Sequence, residues 1–530
     1  MSSPVVSGRP PPVRNLVRTI AWWLAVAVGI GVHLASARWH VLYGAHNTDE
    51  GFYAIATRAV AHGEMPYRDF GFTQPPLVLY ANALPLRLLG FGMFPQRALN
   101  GAWAALALVL GAVWLGRRTR PAWGLGLALI FSLSAPWMYF VHMGKTYGIT
   151  ILLGMLATWV FLALAAGPRR NFTLGLLAAL GVGSRLPAAP FFGLLWLLAL
   201  WPGRRPTLRE VLAAAGGAAL CVAVAILPFC LSAPEAVWFW TIDFHRISVP
   251  NKPWNVSWRE IVVLAPAVWL LGVLALGFAA SRCRWFVREA GVLLAAGTAL
   301  ACNLLPNGVY EEYGVPFLLP FAAAAAALVY DGIKTWKVVP AILLVTALVA
   351  VQAVAPPMLL ATTRPERRGT LSQWLPPRVP PYNRALPVEL AAARRVVETS
   401  LAPTAPFIGS NIILAAETGR EVPAVLRMGP FSWTGEMSPD RAARLHLATR
   451  DQLDAWFAQP EVTVLSFFQR WDLNYGWSMP SFHHEPPKVR EETLDRLERD
   501  FRLAYNNGDF FLLERRKVRW FPVPLFDEPK

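Results

Sequence analysis

"ITILLGMLATWVFLALAAG", residues 149–167, contains no charged side chain and consists mainly of Leu, Ala and other apolar residues. A helix needs about 20 such residues to cross a hydrocarbon core of about 30 Å. Two further runs, "IVVLAPAVWLLGVLALGFAA" (261–280) and "VVPAILLVTALVAVQAVA" (338–355), have the same character. These stretches predict an integral membrane protein that crosses the bilayer several times.

The composition agrees with this prediction. Of 530 residues, 55% are hydrophobic and 15% charged, which is more apolar surface than one soluble core can cover. The net charge is +16, but the Arg and Lys residues stand in short tracts between apolar runs, which favours a role in topology over nucleic-acid binding. The cysteines lie in or beside apolar segments without a CxxC spacing, which indicates neither a disulfide framework nor a metal site.

Hydropathy predicts about eleven transmembrane helices, near residues 19–37, 97–116, 122–140, 148–166, 172–184, 187–201, 211–231, 261–280, 290–305, 316–330 and 338–356. Basic clusters occur in every second loop, so the positive-inside rule places those loops and the N-terminus in the cytoplasm. The basic, Pro-rich N-terminus precedes a first span that we expect to be retained. The expected location is the plasma (inner) membrane.

One apolar segment is not counted as a span. "PPLVLYANALPLRLLGFGMF" (75–94) would, as a span, reverse every later basic loop, so we interpret it as an interfacial or re-entrant helix on the outer side. The first outer loop then covers residues 38–96. An odd number of spans places the C-terminal tail on the same, periplasmic or extracytoplasmic side.

The composition changes again after the last span. Residues 361–384 form a Pro- and Arg-rich linker. In residues 385–530, "PVELAAARRVVETSL", "RDQLDAWFAQ" and "RLERDF" have helical patterns, and "APFIGS", "EVTVLSFF" and "DFFLLERR" have strand patterns. This alternation predicts a soluble α/β domain. A cap or accessory acceptor-binding domain is favoured over an independent catalytic domain, because no nucleophile motif or phosphate-binding Gly loop is present.

Two adjacent carboxylates, Asp49 and Glu50, follow the first span and precede "GFYAIATRAVAHG", whose apolar spacing predicts a helix lying in the membrane interface. Carboxylates at a helix N-terminus act as caps, which is one interpretation. The other interpretation is a general base at the membrane surface that takes a proton from a hydroxyl acceptor.

Cations occur on the same predicted side. Lys145 lies in a short turn, Arg185 at a Gly/Pro-broken pair of half-spans, and Arg246 beside His245 in the loop after the span at 211–231. Each of them is either a snorkelling or salt-bridged residue or part of a site for an anionic ligand. Carboxylates and cations on one face favour a reaction in which a base activates an acceptor while cations stabilise a phosphate leaving group.

Several motifs resemble a known superfamily. "TDEGFYA" (48–54), "GEMPYRDF" (63–70), "QPPL" (74–77) and "FPQRALNGAWAALAL" (94–108) are similar to the first outer loop of the GT-C polyprenyl-phosphate-sugar glycosyltransferases. The most similar groups are the protein O-mannosyltransferases and the lipid A aminoarabinose transferases. "GLLAALGVGSRLPAAP" (175–190) and "EEYGVPFLLP" (311–320) resemble later segments of the same enzymes.

The resemblance implies a fold and a role for individual residues. The fold class is an α-helical polytopic membrane protein of GT-C type, residues 1–360, with the α/β domain on the outer face. Asp49 corresponds to the catalytic base and Glu50 to a secondary or orienting group. The resemblance assigns Lys145, Arg185 and Arg97 to the donor phosphate, and it assigns the substrate cavity to Tyr313 with its neighbour Glu312. Position alone adds Arg246 to the phosphate site and His245 to the cavity.

The expected function is transfer of a sugar, with inversion, from a polyprenyl-phosphate donor to an envelope lipid, glycan or protein on the outer side. A lipid or polysaccharide transporter (flippase) is the alternative, and a non-catalytic scaffold is a third interpretation. Some superfamily members use a divalent ion, for which acidic residues here would supply oxygen ligands. The more similar groups work without one, so no cofactor is expected.

Overall fold

The structure is a computed structural model, and the description below concerns the following residues: 12–44, 46–200, 205–247, 262, 265–281, 288–305, 311–333, 338–362, 386–434, 437–467, 487–507 and 510–516.

Helices make up most of the first 362 residues. In chain order they are α1 (Pro12–Tyr43), α2 (Thr48–Ala61), α3 (Leu77–Leu89), α4 (Met93–Arg118), α5 (Pro121–Ser132), α6 (Ala135–His142), α7 (Tyr147–Ala163), α8 (Pro168–Ser184), α9 (Ala189–Ala199), α10 (Leu208–Ala225), α11 (Leu227–Ser232), α12 (Pro234–Trp238), α13 (Phe244–Ile247), α14 (Pro266–Ser281), α15 (Arg288–Leu304), α16 (Val315–Ile333) and α17 (Val338–Thr362). Short 3₁₀ turns at Leu186–Ala188 and Glu311–Gly314 precede α9 and α16, and a π-helical segment, Phe239–Asp243, precedes α13.

Four helices in the described ranges are long and apolar enough to cross a membrane, judged by length and composition: Trp22–Tyr43, Met93–Arg118, Leu208–Ala225 and Glu312–Ile333. Shorter apolar helices lie between them, so the predicted number of eleven spans stays a prediction. The chain is nevertheless a multi-pass membrane protein, as the apolar runs predict.

The predicted span at 122–140 is interrupted. The structure divides it into α5 and α6 at Leu133 and Ser134. Pro136 stands in the first turn of α6, a position where its missing N–H is tolerated and where proline favours the start of a new helix. A proline that continues an apolar run can therefore end one helix and begin another, which hydropathy does not register.

Small residues allow two bundle helices to pack closely. A Cβ added at Gly175 in α8 would collide with the Ala214 carbonyl of α10, and one at Gly217 would collide with the Phe172 carbonyl. Backbone approach through small residues is typical of helix pairs in membranes. The core of the bundle, formed mainly by α4–α9 and α14–α16, includes buried Trp137, Phe191 and Phe317.

The first outer loop is helical. A capping box begins α2, in which the Asn47 side chain accepts from a backbone N–H while the Glu50 side chain accepts from the Asn47 N–H. The 13 residues of α3 span about 20 Å at 1.5 Å per residue, less than a bilayer core. This length agrees with the prediction that residues 75–94 do not cross the membrane.

The C-terminal region contains helices and one sheet. Its elements are α18 (Leu386–Ser400), β1 (Ile408–Gly409), α19 (Ile413–Thr418), α20 (Pro439–Arg444), α21 (Arg450–Ala458), β2 (Val464–Phe467), α22 (Pro487–Asp500), β3 (Phe501–Asn506) and β4 (Phe511–Arg515). The strand order is β1-β2-β4-β3, in which β1 and β2 are parallel and the other pairs antiparallel. This confirms the predicted small α/β unit, while the predicted domain boundaries stay predictions because residues 363–385 lie outside the description.

One strand is missing from the sequence-based interpretation. "RLERDF" (496–501) was expected to be helical, but the helix ends at Asp500 and Phe501 begins β3. The pairing of Phe501 with Arg515 extends the sheet beyond β4. Because β3 is half exposed and carries polar residues, its strand character depends on this pairing rather than on a strong apolar alternation.

A second core joins the first outer loop to the C-terminal region. This loop–tail core contains buried residues of α2, of the 67–93 segment, of the 229–244 segment and of the C-terminal region, among them Phe52, Phe72 and Trp240. All residues from Gly51 to Val60 are buried. The expectation that α2 lies in the membrane interface is therefore wrong, because the C-terminal region covers it. The shared core also places loop and tail on the same side of the bundle.

Candidate active site

Several chain segments meet at the end of the bundle nearest the first outer loop. Asp49 stands in the first turn of α2, and Lys145 stands in the turn before α7. Arg185 follows the last residue of α8, and Glu312 and Tyr313 lie in the 3₁₀ turn before α16. The N-termini of α2, α7 and α16 thus converge, and helix N-termini favour bound anions.

Lys145 is held between two carboxylates. Its Nζ lies 2.7 Å from Asp49 Oδ2 and 3.0 Å from Glu312 Oε1. The Tyr147 hydroxyl donates to the same Glu312 oxygen at 2.7 Å. The side chain of Lys145 is 5% exposed and that of Asp49 is 24% exposed, so the aspartate is the more accessible member of this pair.

Burial alone would lower the pKa of Lys145, but Asp49, Glu312 and Tyr147 raise it well above its usual value. Lys145 therefore stays protonated at neutral pH and supplies a permanent positive charge. This charge offsets part of the repulsion between the carboxylates of Asp49 and Glu312.

Arg185 contributes a second buried cation. Its guanidinium lies between two aromatic rings, 4.6 Å from the centroid of Tyr147 and 4.9 Å from that of Tyr313. Its Nη1 donates to Thr146 Oγ1 at 2.9 Å. Its Nε is buried and has no hydrogen-bond acceptor among the residues that the structure describes. A buried unpaired donor is uncommon and is the kind of group that an anionic ligand satisfies.

Two of the predicted residues form a different pair. Glu50 accepts from Arg97 Nε and Nη2, each at 2.7 Å, and both side chains are almost fully buried. Arg97 Nη1 also donates to the Gly44 carbonyl at 2.9 Å. The predicted roles of Glu50 as a catalytic, secondary or orienting group and of Arg97 as a phosphate ligand stay predictions; in this geometry each binds the other inside the protein.

The remaining predicted residues lie at the margin. His245 Nε2 donates to the Thr73 carbonyl at 2.7 Å, and burial, with Arg185 as a further cause, lowers the pKa of this histidine. Arg246 is exposed on α13. Their assignment to the cavity and to the phosphate stays a prediction.

The sequence-based interpretation missed some members of the site. Tyr147 donates to Glu312, Thr146 accepts from Arg185, and Tyr53, on α2, is buried near Asp49 and Arg185. Tyr147 and Thr146 follow Lys145 in the same short turn, so the motif "GKTYG" contained the signal. The sequence around Tyr53 gave no such signal, because a tyrosine on an apolar helix is usually a core residue.

No group of three or more His, Cys, Asp or Glu side chains suited to a metal ion occurs in the part of the chain that the structure describes. The ammonium of Lys145 occupies the space between the two carboxylates. The expectation that no cofactor is needed stays a prediction.

The chemical capacity of this cluster follows from its charges. A partly exposed carboxylate pairs with one buried cation, Lys145, and a second buried cation, Arg185, lies between two tyrosine rings of the same site. Such an arrangement can accept a proton from a hydroxyl group and stabilise negative charge on a phosphate.

Comparison with solved structures shows the same architecture elsewhere. The chain is similar to ArnT from Cupriavidus metallidurans bound to undecaprenyl phosphate, with a TM-score of 0.58, 12% identity and coverage of 94% of this chain and 99% of that one. For the apo state of ArnT the values are 0.57, 14%, 94% and 98%. The oligosaccharyltransferase of Archaeoglobus fulgidus, in complex with Zn and sulfate, gives a TM-score of 0.39 at 11% identity, with coverage of 91% and 73%.

No protein-family model matches the sequence, and no curated protein matches it significantly. At 12–14% identity the likeness to ArnT establishes the fold and not the activity. ArnT, the lipid A aminoarabinose transferase, belongs to the superfamily that the motifs resemble. The chain therefore has the GT-C fold of ArnT, as the sequence predicts.

Proposed function

We propose that this protein is a membrane glycosyltransferase that moves a sugar from a polyprenyl-phosphate donor to an acceptor hydroxyl on the side of the membrane that holds the first loop and the C-terminal region. The observation that carries the proposal is the cluster in which Lys145 lies between Asp49 and Glu312, next to Arg185. The fold is that of a protein crystallised with undecaprenyl phosphate, which supports a donor of this chemical class.

In this mechanism Asp49 is the base. Its carboxylate accepts the proton of the acceptor hydroxyl while the hydroxyl oxygen forms a bond to the anomeric carbon. The bond between that carbon and the phosphate oxygen breaks, and the electron pair leaves with the polyprenyl phosphate. Attack opposite the leaving group inverts the anomeric configuration. Asp49 suits this role because its side chain is the more exposed of the pair with Lys145.

Lys145 and Arg185 bind the phosphate and stabilise the charge that develops on it. The free Nε of Arg185 is a donor that a phosphate oxygen would satisfy. Glu312 holds Lys145 and Tyr147 in place through hydrogen bonds to both. Tyr313 and Tyr147 keep the guanidinium of Arg185 between their rings and so restrict its direction.

The proposed location is the plasma (inner) membrane, with the N-terminus in the cytoplasm and the C-terminal region outside. Envelope lipids, glycans or proteins are the proposed acceptors. No nucleotide and no metal enters the reaction, because the phosphate is already attached to the lipid and Lys145 supplies the central charge.

The test is release of free polyprenyl phosphate from a panel of polyprenyl-phosphate sugars by the purified full-length protein in nanodiscs, with a cell-envelope extract as acceptor source. Asp49→Asn is compared with wild type, and Glu421→Gln, an exposed carboxylate of the C-terminal region, is the matched control. We expect wild type and control to release polyprenyl phosphate from one donor at the same rate. In Asp49→Asn the rate of release should fall by about 10²- to 10⁴-fold. No release from any donor would favour the transporter interpretation.

A further inference from the structure

The carboxylate of Glu50 joins the two segments that carry Asp49 and Lys145. Glu50 follows Asp49 directly in α2. Its Oε1 accepts from the backbone N–H of Gly144, the residue before Lys145, at 3.1 Å. The same carboxylate accepts two hydrogen bonds from Arg97 and one from the N–H of Asn47. One buried side chain therefore fixes the positions of both members of the Asp49–Lys145 ion pair.

The C-terminal region reaches the same carboxylate through a histidine. His46 Nδ1 lies 3.3 Å from Glu50 Oε2, and His46 Nε2 lies 3.2 Å from Asn411 Oδ1. The imidazole is fully buried and stacks on the ring of Phe510 at a centroid distance of 5.4 Å. Asn411 and Phe510 both belong to the C-terminal region, so that region determines where His46 lies.

Close packing supports the same connection. A Cβ added at Gly51 would lie 2.8 Å from the backbone nitrogen of Ile413, two residues after Asn411. The first turn of α2 thus contacts the start of α19 backbone to backbone. Arg58, two turns further along α2, donates to the carbonyls of Ala415 and Arg420 at 3.3 and 2.6 Å. The C-terminal region therefore contacts the chain before Asp49, at His46, and α2 after it, at Gly51 and Arg58.

We propose that Arg97, Glu50, His46 and Asn411 form a positioning unit through which the C-terminal region holds Asp49 and Lys145 in the geometry required for transfer. This inference rests on the proposed function and assigns the C-terminal region a part in the chemical step. The four residues touch neither donor nor acceptor; they act through the backbone of α2 and of the turn at residues 143–146.

The physical reason is the sensitivity of proton transfer to distance. A displacement of about 1 Å in a catalytic group lowers a rate by about 10²-fold. Asp49 stands in the first turn of a helix, where backbone hydrogen bonding is incomplete, so its position depends on the cap. Glu50 completes the capping box by accepting from the N–H of the N-cap residue Asn47, and the buried contacts of Arg97 and His46 restrict Glu50 from two sides.

The decisive variants are Asn411→Leu and Asn411→Asp. Both keep the approximate shape of the buried side chain, but only aspartate keeps an oxygen facing His46 Nε2. Glu235→Gln is the control, since Glu235 pairs with Arg441 and Arg444 across a different, exposed part of the same interface. For each variant in nanodiscs we measure kcat, the KM for the donor and the melting temperature. Hydrogen–deuterium exchange at residues 143–148 measures whether the C-terminal region holds this turn in place, and it requires no catalytic turnover.

We expect Asn411→Leu to lower kcat by about 5- to 30-fold at an unchanged donor KM and to speed amide exchange at residues 143–148. Asn411→Asp and Glu235→Gln should remain within about twofold of wild type in both measurements. Unchanged exchange at residues 143–148 in Asn411→Leu, or equal changes in the leucine and aspartate variants, would overturn the inference. An inactive wild type with the expected exchange pattern would instead contradict the proposed function.

Discussion

Tyr67 and His446 both have a positive φ, 68° and 56°, and they contact each other: His446 Nε2 donates to the Tyr67 carbonyl at 3.0 Å. They are the non-glycine residues with this backbone conformation among those that the structure describes. A bulky residue rarely adopts it without support from its surroundings. The support here comes from the opposite segment, so each strained turn is held by the contact between first loop and C-terminal region.

His446→Ala should therefore destabilise the loop–tail contact. The variant keeps the strained φ at residue 446 and loses the hydrogen bond to the Tyr67 carbonyl. The loss should lower the free energy of unfolding by about 1–3 kcal/mol, because that carbonyl then lacks this donor inside the protein. His446→Asn is the control, since asparagine tolerates a positive φ better than alanine does. Thermal unfolding in detergent measures the difference. A melting temperature of the alanine variant equal to that of wild type would show that the contact does not contribute.

Gly51→Ala should be destabilising although it replaces a glycine within a helix. Alanine is favoured over glycine at helical positions by about 1 kcal/mol, but the new Cβ would lie 2.8 Å from Ile413 N. Gly216→Ala is the matched control, because nothing lies within 4 Å of a Cβ there. We expect a lower melting temperature for Gly51→Ala and an unchanged or higher one for Gly216→Ala. Equal effects would exclude close packing at Gly51.

Glu50→Gln should change how stability depends on acid. Burial alone would raise the pKa of Glu50. The Arg97 guanidinium and the contact with His46 together have a larger, opposite effect, so this pKa lies well below its usual range. The pKa of Glu50 is therefore lower in the folded protein than in the unfolded chain, where it is about 4.5. The ionised carboxylate stabilises the fold at pH values above 4.5, and this stabilisation is lost as the pH falls below 4.5.

The wild-type melting temperature should therefore fall more steeply between about pH 5 and 3 than that of Glu50→Gln. At pH 7 the variant should be less stable by about 3–5 kcal/mol, since Arg97 is left buried and unpaired. Melting temperatures across this pH range test both statements. Parallel curves for the two proteins would contradict the stabilising role of the ion pair.

Lys145→Met should reduce both donor binding and transfer. Without the ammonium, the carboxylates of Asp49 and Glu312 repel each other and the phosphate loses a cation. A loss of about 10²-fold in kcat/KM is expected, and Lys145→Arg should retain more activity because it keeps the charge in a different shape. Donor titration and initial rates separate the two effects. Equal rates for Lys145→Met and wild type would remove Lys145 from the mechanism.

Chelation should leave transfer unchanged. Because Lys145 Nζ lies within 3.0 Å of both carboxylates, the charge that a divalent ion would supply is already present. Wild-type rates in excess EDTA should remain within about twofold of those in Mg²⁺ or Mn²⁺. Loss of activity in EDTA with recovery on adding either ion would show that a metal takes part.

Much of this protein can be predicted from its sequence because apolar length and charge distribution are local properties. The run at 149–167 gives α7, and the change of composition after residue 360 indicates a separate α/β region. Lys145 and Arg185 stand out because a charge beside hydrocarbon is costly unless it has a partner or a ligand. The break between α5 and α6 and the strand β3 were missed, since the first depends on one proline and the second on its pairing with β4.

The adjacent carboxylates show most clearly where sequence reasoning ends. Asp49 and Glu50 have the same charge and neighbouring positions, yet the first faces Lys145 and the second is buried against Arg97. The sequence by itself determined that acids and cations gather at one end of a membrane bundle. Only the tertiary structure decided which acid pairs with which cation, and that Asn411 approaches His46 across 365 residues of chain. Pairing between buried charges depends on distance and desolvation in three dimensions, and neither quantity is present in the order of the residues.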